Sequence, residues 1–483
     1  MVAAVQAQAP DPRPYSATLR IEDLRSIVSV LASDSLEGRE AGTRGEALAA
    51  AYILAHMQRD GLRPVPRADG DSSYRQPFFL TRTRNASAYI RVGDKVYQDM
   101  ADVACVSGTT GSETQSHTVV FAGKGRDADL TGVAGRIVVI EAALQDVFSR
   151  SAAVARAGAA GLLVVSAADR RQFEQQLQML RLYAGQRTST GEQVSNMPVF
   201  MVPAEVAAAC LGKSLRQYQT LVQQHASGTP RDKGTPARVS LFIDRKLDQT
   251  PTANLVGWIA GWEHPEEVVV ITAHYDHIGV RRGRIHPGAD DNASGVAALL
   301  EVAQAFAQAR DAGHPPRRSL LFMAVAAEEK GLLGSEYYSE HPLFPLDKTV
   351  ANLNMDMVGH LDDAHRDNPR FVSVVGSDWL STDLHQIHER ANQQHVGLSL
   401  DYTYNSKDHP EQFYYRSDQY NFAKHGIPVI FYTSGDHEDY HQPTDTYDRL
   451  HFGRLLGVTQ LVFYTAWELA YREQRIAVDK SVD

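Results

Sequence analysis

The stretch Glu267-Val-Val-Val-Ile-Thr-Ala-His-Tyr-Asp-His-Ile-Gly279 decides the predicted fold. Its apolar run has the length of an interior strand, and the run ends abruptly in His274, Asp276 and His277. From Val239 onward, further apolar runs end in His, Asp or Glu before a helical segment begins. This rhythm predicts an α/β domain with a mixed, mostly parallel sheet flanked by helices. Ligands of such sheets bind beyond the carboxyl ends of the strands, so the residues after each run are candidate site residues.

Paired acidic residues follow the next two motifs. The segment GADDNASG carries Asp290 and Asp291 ahead of a helical run, and two adjacent aspartates exceed what a helix N-cap requires. A carboxylate held at that turn could bridge two cations. The apolar run RSLLFMAVAA ends in Glu328 and Glu329. Two carboxylates at a buried strand end repel each other unless a metal or a proton neutralises one, which favours one ligand and one general base.

Two further runs complete the set of strand ends. The motif NMDMVG places Asp356 after an apolar strand, and IPVIFYTSGDHEDYH leads to His437, Tyr440 and His441. Each motif alone also fits an ordinary structural hydrogen bond or cap. Together they supply His and carboxylate donors at successive strand ends, a mixed set typical of catalytic zinc sites. The donors fit two metals with one bridging acid, and two metals roughly 3.5–4 Å apart can share a water.

The motifs AHYDHIG, GADDNASG, AAEEKGLLGS, NMDMVG and SDQYNFAKHGIPVIFYTSGDHEDYHQPTD resemble, in the same order, those of a known family. This family is that of the co-catalytic dizinc metallopeptidases, which are grouped with aminopeptidase Y and glutamate carboxypeptidase II. The resemblance is strong over about residues 250–475 and weaker over about 20–100. It implies a zinc aminopeptidase-like fold, two Zn²⁺ per chain and hydrolysis of peptide bonds. It also implies that the intervening segment is an inserted, smaller α/β protease-associated domain.

Carried over position by position, the resemblance implies two zinc ions that share one carboxylate. The metal ligands would be His274 and Asp356 on one zinc, Glu329 and His441 on the other, and Asp291 as the bridge. Glu328 would be the general base, Asp276 the partner that orients His274, and Tyr440 a hydroxyl that stabilises the oxyanion. No ligand position is replaced, which argues against the transferrin-receptor-like members, which have lost ligands, and against the single-zinc glutaminyl cyclases.

Length and charge bound the domain organisation and the partners. The chain of 483 residues predicts two or three domains, and its net charge of −10 without a Lys/Arg-rich run argues against nucleic acid or an anionic membrane as partner. The apolar runs are too short for a transmembrane segment. The resemblance implies peptide substrates as the partners. The predicted domains are a disordered or signal-derived segment (1–15), the N-terminal part of the peptidase domain (16–108), the protease-associated insertion (109–236) and the dizinc peptidase domain (237–475).

Two smaller features bear on cellular location and on redox state. Ala7-Gln8-Ala9 before Pro10 resembles the cleavage end of a trimmed export signal, which predicts a periplasmic or extracellular protein. Cys105 and Cys210 fit no zinc or redox pattern. A single disulfide and two buried free thiols both remain open.

The leading hypothesis is a secreted or periplasmic zinc aminopeptidase. A carboxypeptidase or dipeptidase of the same family would need several arginines near the site, and Arg416 alone does not supply them. A protein-binding module with vestigial catalysis is the alternative from another class. Of the other histidines, His277 and His437 could act behind the ligands or contact substrate. The remainder are expected mostly at the surface, namely His286, His314, His341, His360, His365, His385, His388 and His395.

Overall fold

The computed structural model describes residues 9–66, 70–108, 117–183, 188–191, 197–226 and 235–481. In chain order the helices are α1 (Arg13–Ser16), α2 (Ile21–Leu31), α3 (Arg44–Arg59), α4 (Val147–Arg156), α5 (Arg170–Tyr183), α6 (Ala204–Cys210), α7 (Leu215–Ala226), α8 (Gly295–Asp311), α9 (Leu333–Glu340), α10 (Thr382–Ala391), α11 (Gln419–Ala423) and α12 (Phe452–Tyr471). The strands are β1 (Val65–Pro66), β2 (Ser72–Ser73), β3 (Arg75–Val92), β4 (Lys95–Gln98), β5 (Ala104–Ser107), β6 (His117–Phe121), β7 (Ile137–Glu141), β8 (Gly161–Val165), β9 (Thr188–Ser189), β10 (Val199–Met201), β11 (Thr235–Ile259), β12 (His264–His274), β13 (Val280–Arg281), β14 (Arg284–Ile285), β15 (Arg318–Val325), β16 (Thr349–Met355), β17 (Phe371–Val375), β18 (Ser399–Asp401) and β19 (Val429–Thr433).

The chain divides into two compact units. The larger unit comprises the residues up to Leu80 and from Thr250 onward, and the smaller unit is Thr81–Gln249. The smaller unit extends beyond the insertion predicted over 109–236 at both ends. It does so because much of β3, all of β4 and the first part of β11 pair with its own strands. The predicted boundary at 109 and residues 227–234, near the end of the predicted insertion, lie outside the described residues.

The larger unit contains a mixed, mostly parallel sheet, as the sequence predicts. Its strand order is β18-β17-β19-β16-β12-β15-β11. The central pairs β12–β15, β12–β16 and β16–β19 are parallel. On one side of this centre β11 pairs antiparallel with β15, and on the other side β17 pairs antiparallel with β19. The prediction of a mostly parallel sheet is therefore confirmed, and the antiparallel pairs lie outside the parallel centre.

Alternate residues of the central strands pack into two different cores, so helices flank both faces of the sheet. Val269 and Ile271 of β12 belong to the core that includes residues of α2, α8 and α12. Val268 and Val270 of the same strand pack into a core with residues of α9 and α11. Successive side chains of a strand point to opposite faces, which explains why the run is apolar throughout rather than alternating.

The three central parallel strands bring the predicted site to one edge of the sheet. In the ladder His274 lies opposite Val325, and Thr272 lies opposite Asn354. Because β12, β15 and β16 run in the same direction, the residues just beyond their carboxyl ends collect together. That edge therefore receives His274, the turn that begins at Glu328, and Asp356.

A buried arginine fixes the loop that leads to α8. The Arg39 guanidinium donates hydrogen bonds to the carbonyl oxygens of Tyr275 (3.0 Å), Pro287 (2.7 Å) and Gly288 (2.8 Å), and also to that of Leu31. These carbonyls flank β12 on one side and the Asp290–Asp291 turn on the other. Removing the guanidinium would leave several buried acceptors without a donor, so Arg39 stabilises the loop that carries Asp291.

The smaller unit has its own parallel α/β sheet. Strands β6, β7, β8 and β10 are parallel neighbours in that order, with β5 antiparallel at β10 and β11 antiparallel at β6. Both cysteines belong to this unit, where they are buried and free. Burial raises the pKa of the Cys105 and Cys210 thiols to about 12, so both remain protonated at neutral pH. The alternative of two buried thiols is therefore the one observed.

Two further predictions concern the chain's first residues and its longest helices. Residues 1–8 lie outside the described part of the chain, and the segment predicted to be disordered ends in the short helix α1. The prediction of export is not tested by these residues. No helix within the described ranges is both long and apolar enough to cross a membrane.

Candidate metal centre

The first group of donors comprises His274, Asp291 and Asp356. The Nε2 atom of His274 lies 3.1 Å from Oδ1 of Asp356 and 3.2 Å from Oδ1 of Asp291. All three residues are buried, and their donor atoms lie within 4.8 Å of one another. The second carboxylate oxygen of Asp356 accepts a hydrogen bond from Ser417 Oγ at 2.7 Å, which holds that carboxylate in place. A cation between these atoms would receive one nitrogen and two oxygen donors.

The second group comprises His277, Asp291, Glu329 and His441. The Nε2 atom of His441 lies 3.2 Å from Oδ2 of Asp291 and 3.0 Å from Oε2 of Glu329. The Nδ1 atom of His277 lies 2.9 Å from Oε1 of Glu329. The four donor atoms again lie within 4.8 Å of one another. The structure therefore adds His277 to the pair that the sequence assigned to this position.

Asp291 contributes one carboxylate oxygen to each group. Its Oδ1 faces His274, and its Oδ2 faces His441. Its backbone N–H and that of Asp290 donate hydrogen bonds to the Asp445 carboxylate, at 3.1 Å and 2.8 Å respectively. Neighbouring Asp290 instead accepts from the N–H groups of Gly359 and His360. Of the two adjacent aspartates, Asp291 is thus the one whose carboxylate lies between the two groups.

The electrostatics of the centre follow from crowding several carboxylates in a buried space. Burial raises the pKa of Asp291, but the nearby His277, His274 and His441 outweigh it and hold that pKa well below its ordinary value. Burial lowers the pKa of His441, whereas its contacts with Asp291 and Glu329 raise it to about 10. The buried carboxylates therefore require cationic partners, and the imidazolium groups of nearby histidines can be such partners.

Glu328 differs from Glu329 in the way the sequence predicts. Burial and the negative charge of Asp356 raise the pKa of Glu328 well above its ordinary value, although His274 opposes them. The pKa of Glu329 is lowered, because its contacts with His277 and His441 outweigh burial and the charge of Asp291. Glu328 Oε2 lies 4.0 Å from His274 Nε2, beside the donor groups rather than between them. One glutamate therefore favours a proton, and the other favours cations.

The contacts that Asp276 makes with His274 and with Glu328 differ from those that the sequence motif predicts. His274 Nδ1 lies 3.1 Å from the backbone carbonyl oxygen of Asp276, whereas the nearest carboxylate oxygen is 3.9 Å away. The carboxylate instead accepts the backbone N–H of Glu328 at 3.0 Å. Asp276 therefore contacts His274 through its main chain, and its side chain holds the turn that carries Glu328. Its role as the partner that orients His274 stays a prediction.

A cavity opens beside Glu328 and the first donor group. Its apolar lining consists of Met357, Phe413 and Phe431, and Tyr440 and Arg416 also line it. Burial, with the charges of Asp291, Glu329 and Glu328, raises the pKa of Tyr440 above its ordinary range. The Tyr440 hydroxyl consequently stays protonated and able to donate a hydrogen bond.

Arg416 is already neutralised at the mouth of this cavity. Its Nη1 lies 3.2 Å from Oδ2 of Asp436 and 3.4 Å from Oε2 of Glu411. Within the described residues it is the one arginine in the cavity lining. The arrangement thus lacks a free cationic group for a substrate carboxylate.

Ser417 and Asp445 lie at the two ends of the motif SDQYNFAKHGIPVIFYTSGDHEDYHQPTD, but their positions in the sequence predict no specific contact for either. Ser417 supports Asp356, and Asp445 supports the backbone of Asp291. A further His/Asp cluster lies behind Asp290, where the His437 ring stacks on that of His360 at 3.9 Å and its Nε2 lies 3.2 Å from Asp290 Oδ2. His437 follows the apolar run that forms β19, whereas the contacts of Ser417, Asp445 and His360 depend on loops that fold back across the site.

The expectation that the remaining histidines lie at the surface is wrong for two of them. His286 and His388 are buried. Burial, reinforced by the charge of His385, lowers the pKa of His388 to about 3, so this imidazole is neutral and part of the core. Both histidines pack by tertiary contacts that the local sequence does not reveal.

The donor set fits divalent metal ions. Imidazole nitrogens and carboxylate oxygens are the mixed ligands of catalytic zinc sites, and two groups share one carboxylate. The two ring nitrogens of His277 are buried and make no hydrogen bond to any described residue. A buried nitrogen without a hydrogen-bond partner is costly, and a metal ion would provide that partner.

Comparison with known proteins agrees with this geometry. Residues 254–466 match the sequence profile of peptidase family M28. Transferrin receptor protein 2 of Mus musculus is 30% identical over 266 residues, which cover 51% of this chain and 31% of that protein. Aminopeptidase YwaD of Bacillus subtilis (strain 168) is 28% identical over 225 residues, which cover 44% of this chain and 43% of that protein.

A solved structure resembles the chain over nearly its whole length. The aminopeptidase from Aneurinibacillus sp. strain AM-1 aligns with a TM-score of 0.54 at 17% identity, covering 97% of this chain and 98% of that one. At this identity the likeness concerns the fold. The chain spans about a third of transferrin receptor protein 2 and less than half of aminopeptidase YwaD.

Proposed function

Because residues 254–466 match peptidase family M28, we propose that this chain is a zinc-dependent exopeptidase and, more specifically, an aminopeptidase. The observation that carries the proposal is the pair of donor groups sharing Asp291 next to a protonatable Glu328. A structural metal site needs neither an adjacent base nor an open cavity. The arrangement is therefore suited to hydrolysis.

Two zinc ions are the proposed cofactors. His274 and Asp356 would hold one, Glu329 and His441 the other, and Asp291 would bridge them, in keeping with the two donor groups. Bound zinc would supply Lewis acidity, which lowers the pKa of water and polarises a carbonyl group. Ser417 and Asp445 support these ligands by holding the Asp356 carboxylate and the Asp291 backbone.

Glu328 is the proposed general base and later the general acid. Its carboxylate accepts a proton from the attacking water and returns it to the amine that leaves. The raised pKa suits the second step, because a group that binds a proton too weakly cannot deliver it to the amine. The Asp276 carboxylate holds the Glu328 backbone N–H and thereby keeps the base at the edge of the cavity. The protonated Tyr440 hydroxyl donates to the oxyanion as charge develops there.

The cavity favours a free amino-terminal substrate over one that presents its carboxylate. Carboxypeptidase or dipeptidase activity would require a cation for the terminal carboxylate, and the Arg416 guanidinium is paired with Asp436 and Glu411. The apolar side chains of Met357, Phe413 and Phe431 favour an apolar residue at the substrate's first position. Leucyl and phenylalanyl substrates are consequently expected to exceed glutamyl ones in kcat/KM.

A set of terminally blocked peptides tests the proposal. The zinc-loaded protein should release the first residue of a peptide with a free amino terminus, and acetylation of that terminus should abolish release. Amidation of the carboxyl terminus should leave the rate unchanged. The opposite dependence would replace the aminopeptidase with a carboxypeptidase. An inert protein that binds no zinc would favour the alternative of a protein-binding module with vestigial catalysis.

The smaller unit is proposed to be a protease-associated domain inserted into the peptidase domain. Its own core and parallel sheet support an autonomous α/β module within the chain. A periplasmic or extracellular location is likewise proposed. Secretion assays on cells that express the full chain would test it directly.

A further inference from the structure

His277 is a buried residue of the centre that the proposed function leaves unused. Its side chain is 0% exposed. The Nδ1 atom lies 2.9 Å from Oε1 of Glu329 and 3.5 Å from Oδ2 of Asp291. Despite these short distances, neither ring nitrogen has hydrogen-bond geometry with any described residue. The Nδ1 atom thus lies within ion-pair distance of two carboxylates without hydrogen-bond geometry to either.

An ordinary buried histidine does not explain this arrangement. A neutral imidazole has one N–H donor and one lone pair, and leaving either unsatisfied in a protein core costs roughly 1–3 kcal/mol. The Nδ1 atom of His277 and the Nε2 atom of His441 lie near the same two carboxylates, those of Glu329 and Asp291. Two imidazole nitrogens and two carboxylates therefore converge on one space.

The fold fixes the His277 ring in this position. A Cβ atom at Gly288 would lie 2.6 Å from the Cγ and Cδ2 atoms of His277, so the ring occupies space that only glycine leaves free. Gly288 has φ of +59°, a conformation that favours glycine independently. The His277 ring also meets the His441 ring edge to face, with centroids 5.6 Å apart. The imidazole is thus held by packing rather than by hydrogen bonds.

We infer that His277 is a further metal ligand, at the position formed by Glu329, His441 and the shared Asp291. This inference rests on the proposed function, since it presupposes that the centre binds zinc. It makes the two metal positions unequal. One has four protein donors, His277, Asp291, Glu329 and His441, whereas the other has three, His274, Asp291 and Asp356.

The inequality has a direct chemical consequence. A zinc position with four protein ligands is closed and structural in type, whereas one with three keeps a place for water or substrate. The position with His274 and Asp356 is also the one nearer the base, because Glu328 Oε2 lies 4.0 Å from His274 Nε2. The closed position should therefore bind zinc more tightly and fill first, and the open position should receive the substrate.

Stepwise loading of the metal-free full chain with zinc tests this order. Calorimetry should resolve two binding steps, and His277→Ala should weaken the tighter step by at least the roughly 10- to 100-fold that loss of a residue supporting a ligand typically costs, while leaving the other step unchanged. Zinc X-ray absorption on the protein with one equivalent should count two imidazoles in the wild type and one in His277→Ala. The imidazole count separates a ligand from a residue that merely orients Glu329, which would change affinity but not the count.

Three further variants complete the experiment. Asp356→Asn should weaken the looser step and leave the tighter one, and His286→Ala, a buried histidine outside both donor groups, should change neither. His277→Gln replaces His277→Ala if circular dichroism shows that the alanine variant does not fold. One imidazole in the singly loaded wild type, or an unchanged tighter step in the folded His277 variants, overturns the inference but leaves the exopeptidase proposal standing. A wild-type chain that binds no zinc would overturn both.

Discussion

The two units of this chain each contain a parallel sheet, yet within the described residues only the larger unit gathers His, Asp and Glu side chains beyond the ends of several strands. In the larger unit, β12, β15 and β16 lead into His274, the Glu328 turn and Asp356. In the smaller unit, β6 and β8 lead into Ala122 and Ser166. Both sheets are buried and built from similar apolar strands. Periodicity therefore specifies the sheet, and the residues that follow the strands specify what the sheet can do.

The smaller unit does place one acid at a strand end, and its surroundings show the difference. Glu141 ends β7, accepts a hydrogen bond from Tyr218 at 3.3 Å, and lies 3.8 Å from Lys124 Nζ. A single half-buried carboxylate is satisfied by such contacts. The larger unit instead gathers Asp291, Glu328, Glu329 and Asp356, and these cannot all remain ionised in a buried space without imidazoles or metal ions.

The strongest test of this difference between the two units is to neutralise Glu328, the proposed base of the larger unit. Glu328→Gln should lower kcat by about 10²- to 10⁴-fold, because an amide cannot accept the proton of water. Zinc content should stay at the wild-type value, since Glu328 lies beside the donor groups. Glu340→Gln, at the exposed end of α9, is the control and should retain full activity. A rate near that of the wild type would refute the assignment of the base.

Removing the shared carboxylate should have the next largest effect. Zinc at about 100 times its dissociation constant should stabilise the wild-type fold by about 2.7 kcal/mol, and Asp291→Asn should lose most of this gain because both donor groups include Asp291. Thermal melts with zinc and with a chelator measure it. Asp127→Asn, exposed in the smaller unit, serves as the matched control. If zinc raised the melting temperature of Asp291→Asn as much as that of the wild type, Asp291 would not be the bridging ligand.

Glu301 of α8 is a buried carboxylate of the larger unit that has no imidazole beside it among the described residues. It allows the effect of burial to be tested without a neighbouring histidine. Burial, with the charge of Asp23, raises its pKa from 4.5 to about 7, and its Oε2 makes no hydrogen bond to a described residue. A raised acid pKa means that stability falls as pH rises from about 4.5 to about 7, by up to about 3 kcal/mol.

Glu301→Gln should abolish this loss and stabilise the protein at neutral pH. Urea unfolding at pH 5 and pH 8 would measure the change. Asp311→Asn, at the exposed end of the same helix, should keep the wild-type pH dependence. If Glu301→Gln retained the full loss between the two pH values, burial of this carboxylate would not be its cause.

The smallest expected effect belongs to the strand end of the smaller unit. Glu141→Gln should leave kcat/KM within about twofold and the free energy of unfolding within about 1 kcal/mol, because its amide oxygen can still accept from Tyr218 and only the charge at a half-buried site is lost. Arylamide hydrolysis and urea unfolding measure both quantities. A tenfold loss of activity would show that the strand ends of this sheet take part in the chemistry after all.

Much of the larger unit could be predicted because its information is local. An apolar run followed at once by His274, or by Glu328 and Glu329, identifies a buried strand and its polar end from consecutive residues. The boundaries of the smaller unit could not be predicted in the same way. Parts of β3 and β11 belong to it through strand pairing, and the strands they pair with are distant in sequence.

His277 illustrates the limit at the centre itself. It lies three residues after His274, yet the sequence offers no reason to favour it over His437 as a metal ligand. Its Nδ1 atom reaches Glu329 because the His277 ring packs where Gly288 has no side chain. The roles of Ser417 and Asp445 likewise depend on loops that return to the site from beyond β18 and β19.

By itself the sequence determined the mixed α/β class, the strand ends that carry polar residues and the resemblance to dizinc peptidases, because each is written in short motifs. Only the tertiary structure decided which donors share a space, that the two carboxylate oxygens of Asp291 face different donor groups, and that Arg416 is already paired. The physical reason is that hydrophobic periodicity acts along a segment. Charge pairing and metal coordination depend instead on distances of about 3 Å between segments remote in the chain.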